Sequence, residues 1–352
     1  MISIIGAGPS GSYLAYLLAK KGKEVCVFEE HDKIGKPVQC TGLLTSSSKE
    51  LIELNDRFIV NKISNVKVIV PNGDVVEFHL NEPNYVFDRA KFDQHIASLA
   101  MKEGAKFFLN KRFVDFKDGK IIFSDGEDFK TDYLVGADGP LSNVSKRFGM
   151  FNNRKFMVAM QARVKGRFDK DVFVVYLGRG YFGWSVPENE EYSRVGVIAS
   201  NDNPKGYFHE ILKKEKGEIV EFQSGLIPKY QKGIVCQKDN VFLVGDAATQ
   251  CKSSTHGGII QGMIGASALC EALINGKDYD RLWKKKLGKD LYVHLKIRDR
   301  IDKMSDDELN YMIKLVKQEK VKKILEAYDR DYASKIALKL FIKEPRFLRF
   351  LL

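Results

Sequence analysis

The sequence predicts an α/β protein: a domain of short buried strands and helices, interrupted by an inserted antiparallel β-sheet layer and followed by a C-terminal helical region. Three observations predict it. The apolar run Ile2–Ile5 leads into Gly6-Ala7-Gly8-Pro9-Ser10-Gly11 and then an apolar-periodic stretch over residues 13–21, which reads as strand, glycine turn and helix. Two more short apolar runs, 133–136 and 241–244, lead into Ala137-Asp138-Gly139 and Gly245-Asp246-Ala247-Ala248. Between them, residues 156–230 follow a mostly antiparallel-strand pattern with one helical patch at 208–218. The predicted boundaries make 1–61, 81–155 and 235–279 a discontinuous Rossmann-like domain. Residues 62–80 and 156–234 form the inserted sheet, and 280–352 the helical region.

The first thirty residues carry the clearest chemistry. Gly6 permits a tight turn, Gly8 lets the backbone approach a pyrophosphate, and Gly11 lets helix and strand pack closely. The helix N-terminus, with Pro9 and Ser10, faces the phosphates. A second strand at 25–28 ends in Glu29, placed where a carboxylate takes both ribose hydroxyls. A carboxylate there disfavours a 2′-phosphate and suits FAD or NAD.

The remaining elements follow in order. Residues 35–42 form a loop rich in turn formers, and 49–54 a short helix. Residues 62–70 and 74–80 alternate around Pro71-Asn72-Gly73 as a hairpin. A helix spans 90–103, strands with Asp-Gly turns fill 106–131, and a small-residue helix runs over 257–274. From Asp280 the chain is helical and basic and ends in the apolar stretch 347–352.

The 352 residues allow two or three domains with ample core. Five cysteines, odd in number and never in a CxxC pair, argue against a zinc site or disulfide framework and fit a reducing cytosol. The first strand starts at Ile2, leaving no room for a signal peptide, and no run approaches a membrane span. Net charge is +11, with 20 Lys/Arg and 11 Asp/Glu in residues 281–352. No nucleic-acid motif accompanies this excess. It reads either as a solvated helical surface or as attraction to anionic lipid headgroups on the inner face of a membrane.

Four separated motifs resemble the flavoproteins built like p-hydroxybenzoate hydroxylase: Gly6 to Gly11 with Glu29, then Arg89, then Gly136-Ala137-Asp138-Gly139, then Gly245-Asp246-Ala247-Ala248. Three further stretches narrow the likeness. Residues 36–42 (KPVQCTG), 85–93 (YVFDRAKFD), and 245–248 with 252–259 (KSSTHGGI) look like the geranylgeranyl reductase family, as does 181–187 (YFGWSVP), similar to its aromatic substrate motif. His256 stands where glycine is more usual and Val186 where Phe is common.

The resemblance implies FAD and the saturation of isoprenoid double bonds, as of archaeal-type lipids or prenyl diphosphates. It implies that Gly6, Gly8, Gly11 and Glu29 hold the ADP half of FAD. Arg89 reaches the pyrophosphate or ribityl region, Asp138 and Gly139 bridge the nucleotide, and Asp246, after Gly245, accepts from a ribityl hydroxyl. Gly257, Gly258 and Ile259 present amides to the flavin's pyrimidine edge. Cys40, in the loop closed by Gly42, faces the ring, and Cys40 or a water it positions supplies the proton that alkene reduction needs. Tyr181, Phe182, Trp184 and Pro187 belong to the substrate layer, with the three aromatics lining an apolar tunnel. No metal is implied. The electron donor stays open between NAD(P)H and reduced ferredoxin, whose acidic surface would suit the basic chain. A flavin monooxygenase of the hydroxylase or halogenase type is the competing enzyme reading, and a non-catalytic flavin or lipid carrier the third.

Overall fold

The computed structural model describes residues 1–199 and 204–350; of the expected apolar terminus, Leu351 and Leu352 lie outside the described residues. The chain divides into two compact units of interleaved segments.

The first unit comprises Met1–Val38, Arg89–Lys155 and Pro228–Tyr292. Its sheet has six strands in the order Gln237–Lys238, Val241–Leu243, Tyr133–Gly136, Ile2–Ile5, Val25–Phe28 and Lys106–Phe108. All neighbours pair in parallel except the first two. Apart from the buried Ser3, the central runs Ile2–Ile5 and Val25–Phe28 are apolar because a parallel sheet is covered on both faces, and both are buried along their whole length. Helix Pro9–Ala19 packs on helices Arg89–Lys102 and Ile259–Asn275. A three-stranded meander, Phe113–Lys117, Lys120–Phe123 and Asp128–Lys130, encloses Phe28. The Phe28 ring lies 5.1, 4.7 and 4.9 Å from those of Phe108, Phe123 and Phe129. From Ile2–Ile5 the chain moves outward to one side and then returns to add Tyr133–Gly136 on the other. That reversal is the switch point at which open α/β sheets bind ligands.

The second unit comprises Gln39–Asp88, Phe156–Ile227 and Val293–Leu352. Its eight-stranded sheet runs Glu218–Pro228, Phe156–Lys165, Tyr192–Ala199, Tyr181–Pro187, Val172–Gly178, Ile59–Ile69, Val75–Phe87 and Leu43–Leu44. Among the strand pairs whose register is defined, only Val172–Gly178 with Ile59–Ile69 is parallel. Helix Pro204–Glu215 covers one face, seating Phe208 and Ile211 on Ala162, Val164, Val195 and Val197. The C-terminal helices Asp306–Val316 and Glu319–Ala327 and the turn Pro345–Phe350 pack on the hairpin around Val70 and Val76.

Several elements differ in extent from the sequence pattern, each for a physical reason. The hairpin is present, with Ile69 opposite Val75, but its second strand continues to Phe87 rather than ending at Leu80. The ladder pairs Ile63 with Asn84 and then Asn65 with His79, so 80–83 bulge out around Pro83, which has no N–H to donate. Residues 46–50 form a 3₁₀ turn, not the helix expected at 49–54. There the Ser48 hydroxyl bonds the Thr45 carbonyl at 2.8 Å, offering the backbone a competing partner. The helix expected at 208–218 is Pro204–Glu215, opened by Pro204 and stopped at Lys216, whose φ is 50°. Residues 39–61 and 81–88 fall with the antiparallel sheet, because Leu43–Leu44 pairs with Tyr85 and Val86. The helices beyond residue 292 fall in the same unit.

Candidate functional site

In the first unit the glycine motif is built by backbone contact. Gly6 has φ 104° and donates its N–H to the Phe28 carbonyl at 2.8 Å, and a Cβ there would overlap the Ala137 carbonyl. A Cβ on Gly11 would overlap the Gly6 carbonyl, whereas one on Gly8 would meet open space. Two glycines therefore close the turn, and the third leaves room for a ligand. Helix Pro9–Ala19 starts at Gly8 without a side-chain cap, so no side chain satisfies its first amides, the arrangement that suits an anion. The Ser10 hydroxyl sits between Gly245 and Gly262, where a Cβ on either would strike it. The glycine turn and the Gly245 loop thus meet at one place.

Glu29 is fixed at its strand end. One carboxylate oxygen accepts the Ala7 N–H at 2.8 Å; the other accepts from the His31 amide at 3.1 Å and lies 2.6 Å from His31 Nδ1. Asp138 turns onto its own loop, accepting from the Ser142 hydroxyl at 2.6 Å and the Val144 N–H at 3.1 Å. Burial pushes its carboxyl up and those hydrogen bonds offset part of the rise. Gly139, with φ 74° and open space at its Cβ position, is the member of that pair with room for a ligand.

Asp246 is half-buried, and desolvation pushes its carboxyl up to about 6 against the opposing pull of Arg89 and Arg154. A Cβ on Gly258 would lie 2.8 Å from Asp246 Oδ1. This puts the acid at the start of helix Ile259–Asn275, which has Gly258 at its N-cap and no side-chain cap. Arg89 grips Asp93 one turn along its own helix, at 3.0–3.3 Å. His256 adopts φ 58°, the left-handed region where the resembled family's glycine is natural.

Two residues of this site carry no signal in the sequence. Arg154, only 9% exposed, donates to the Ser145 hydroxyl at 2.6 Å and to the carbonyls of Ala247 and Phe151 at 2.7 and 3.1 Å, tying the Gly139 loop to the Asp246 loop. Lys252, 4% exposed, brings Nζ within 3.1 Å of where a Cβ on Gly257 would lie. Nothing in their flanking residues separates them from surface cations; only the fold reveals their burial.

The second unit holds Cys40, Gly42 and the aromatic motif. Cys40 is half-buried, and its Sγ accepts the Gly42 N–H at 3.3 Å. Gly42, at φ 69°, accepts the Phe87 N–H at 2.8 Å on its carbonyl. The loop is locked onto the sheet through Thr41. The Thr41 hydroxyl donates to Gln161 Oε1 at 2.5 Å, the same oxygen that accepts Trp184 Nε1–H at 3.0 Å. Arg194 donates to the carbonyls of Thr41 and Phe87, and with Arg163 it holds Glu188, each at 2.8 Å. Burial alone would raise the Glu188 carboxyl, but the two arginines outweigh it and hold it low.

Strand alternation divides the aromatic motif and corrects the expectation that all three rings line one tunnel. Trp184 packs with Val86, Phe173, Val175 and Ile198, and Phe182 lies against the same cluster. Tyr181 points to the other face, stacked 4.2 Å from Tyr207 with Phe208 and Ile211 nearby. Pro187 is buried at the strand end, its carbonyl accepting from Asn61 at 2.9 Å.

A strand-turn-helix cradle, two loops at the ends of neighbouring strands and an acid at the second strand define a dinucleotide-binding protein of the Rossmann-like class. Residues 4–40 match the model of the NAD(P)-binding Rossmann-like domain. An uncharacterised protein from Methanocaldococcus jannaschii is 30% identical over 96% of this chain and 94% of its own. A digeranylgeranylglycerophospholipid reductase from Methanothrix thermoacetophila is 28% identical over 92% and 93%. In fold, the chain is similar to a geranylgeranyl bacteriochlorophyll reductase-like protein from Thermoplasma acidophilum, with TM-score 0.87, 23% identity and coverage of 99% and 98%. A flavin-dependent brominase is more distant, at TM-score 0.74 and 17% identity with 99% of each chain covered. The chain belongs to the geranylgeranyl reductase family. No helix among the described residues is long and apolar enough to cross a membrane.

Proposed function

We propose that the protein is an FAD-dependent oxidoreductase that hydrogenates carbon–carbon double bonds of isoprenoid chains, of the archaeal lipid or prenyl diphosphate kind. The observation that carries this reading is the tie between the Cys40 loop and the apolar Trp184 face through Thr41 and Gln161. It mounts a thiol on a surface suited to a hydrocarbon.

The cradle fits FAD. Space beside Gly8 and Gly139 admits a pyrophosphate, Glu29 retains lone pairs for ribose hydroxyls, and a ribityl hydroxyl donating to Asp246 would stabilise its charged form. Bound there in its reduced form, the flavin supplies a hydride. The amides of Gly258 and Ile259 and the ammonium of Lys252 favour negative charge at that end of the site. Cys40 holds a proton at Sγ for the alkene, with its loop fixed by Thr41, Gly42 and Arg194. Phe182 and Trp184 would hold the hydrocarbon chain and keep water away from it. Electrons come from NAD(P)H or a reduced ferredoxin.

An anaerobic assay tests this. Reduced protein mixed with a geranylgeranyl lipid should be reoxidised without oxygen, and the lipid should gain one hydride and one proton per bond. Turnover only with oxygen, giving a hydroxylated or halogenated product, would establish a monooxygenase instead; neither product would leave a carrier. Cys40→Ala should keep the yellow colour and lose about 100-fold or more in alkene turnover. Undiminished turnover would remove Cys40 from the chemistry.

A further inference from the structure

The last helix among the described residues shows solvent a row of large apolar side chains set among cations. Helix Ala333–Lys343 buries Ala333 against the second unit and partly buries Leu340 and Phe341 beside its C-terminal core. Its outer side is apolar again. Leu338 is 60% exposed and Ile342 68%, one turn apart on the same side, and Leu348 in the following turn is 45% exposed. Exposed cations surround them: Lys335, Lys339, Lys343, Arg346 and Arg349. The one acid in residues 333–350, Glu344, is buried and clamped by Lys320 at 3.0 Å and Arg346 at 2.6 Å. Lys335, Lys339 and Arg349 lie over the rings of Tyr332, Tyr328 and Tyr311, at 4.7, 4.8 and 5.6 Å. Their charges therefore flank the apolar ridge.

We propose that this ridge is the surface through which the protein docks on an anionic lipid bilayer, with Leu338, Ile342 and Leu348 entering the headgroup boundary and Lys335, Lys339, Lys343 and Arg349 meeting lipid phosphates. Apolar residues on the outward side of a helix, with a cationic flank and no exposed acid within residues 333–350, are the pattern of an interfacial helix. Charge complementarity selects the occupant. A second copy of the chain would set four like charges against four across a symmetric contact, whereas an anionic membrane neutralises all of them. The inference deepens the proposed reading by saying where a lipid-processing enzyme meets its substrate's bilayer. It is tested without substrate or electron donor, so it succeeds or fails independently of that reading.

The experiment is sedimentation of the full-length protein with vesicles of phosphatidylcholine, with and without phosphatidylglycerol. Binding should require the anionic lipid and weaken as salt rises. The double variant Leu338→Ser, Ile342→Ser should bind about tenfold or more weakly. Lys339→Gln and Lys343→Gln should each cost about fivefold. All four side chains are exposed, so melting temperature and flavin content should not move. Leu338→Trp gives an independent reading: its emission should shift to the blue on anionic vesicles. The pair Val220→Ser, Phe222→Ser, exposed on the edge strand Glu218–Pro228, should leave vesicle binding intact. Equal affinity for neutral vesicles, unchanged binding by the Leu338/Ile342 variant, or no shift from Leu338→Trp would overturn the proposal. So would a concentration-dependent rise in mass that this variant abolishes, which would assign the ridge to contact between copies.

Discussion

The two units solve their problems with different parts of the chain. The nucleotide unit is specified by backbone: Gly6 and Gly11 are required because another backbone segment occupies the place of a side chain, while Gly8 leaves open space where a side chain would stand. The sheet unit is specified by side chains reaching across strands: Thr41, Trp184 and Gln223 all meet Gln161. A site built from backbone permits few residue types at fixed spacing. A site built from side-chain partners permits many, provided each partner is matched.

The sharpest way to break this contrast is at the glycines. Gly11→Ala drives a methyl into the Gly6 carbonyl, and neither backbone segment can step aside. It should destabilise the protein by about 3 kcal/mol and yield a colourless preparation. Gly8→Ala adds its methyl to open space at φ −68°, an ordinary conformation. The fold should survive within about 0.5 kcal/mol, while flavin affinity falls. Thermal melts with 450 nm absorbance separate the two, and an equally stable, equally yellow Gly11→Ala protein would refute the backbone account.

This difference explains what could be read in advance. The glycine cradle, Glu29, and the loops at Asp138 and Asp246 were legible because steric exclusion and strand-end position leave signatures in a few adjacent residues. The hairpin was legible from its alternation and its Pro-Asn-Gly turn, but its true length was hidden by the bulge at 80–83. Arg154 and Lys252 were not legible, because burial of a cation depends on which loops the fold brings over it. Gln161 as the partner of both Thr41 and Trp184 joins positions 120 and 23 residues apart, beyond any local pattern. The division of the aromatic motif followed from strand period alone and was available in principle, yet four neighbouring aromatic and aliphatic side chains concealed it.

Asp246 gives the next largest effect and tests whether the nucleotide unit is strained without its ligand. Its carboxyl is raised from the ordinary 3.8 to about 6 by burial. A raised acid favours folding fully below its unfolded value and loses that contribution as pH climbs through the folded one. Flavin-free protein should therefore lose stability from about pH 4 to about pH 7, by up to about 3 kcal/mol. Asp246→Asn should flatten that slope and be the more stable protein at neutral pH, while binding flavin less well. Asp138 is present in both proteins, so its own raised carboxyl cancels in the comparison. Parallel pH–stability curves for the two flavin-free proteins would show that Asp246 is not burdened in the way its burial implies.

The smallest effect falls in the sheet unit and is the most discriminating there. Tyr181 stacks on Tyr207 at an interplanar angle of 22°, on the side of the sheet covered by helix Pro204–Glu215. Phe182, the next residue, lies against the Trp184 cluster on the opposite side. If the apolar substrate meets the Trp184 side, Tyr181→Leu removes only a ring stack, about 1 kcal/mol, and lowers the melting temperature by a few degrees with the product pattern unchanged. Phe182→Ala, half-buried and so less costly to stability than a core truncation, should instead shift how many double bonds are reduced or which chain lengths are accepted. Product mass profiles beside melting curves give both readings from one set of preparations. A changed product pattern from Tyr181→Leu, with none from Phe182→Ala, would move the hydrocarbon to the helix-covered side and reverse the assignment of the two faces.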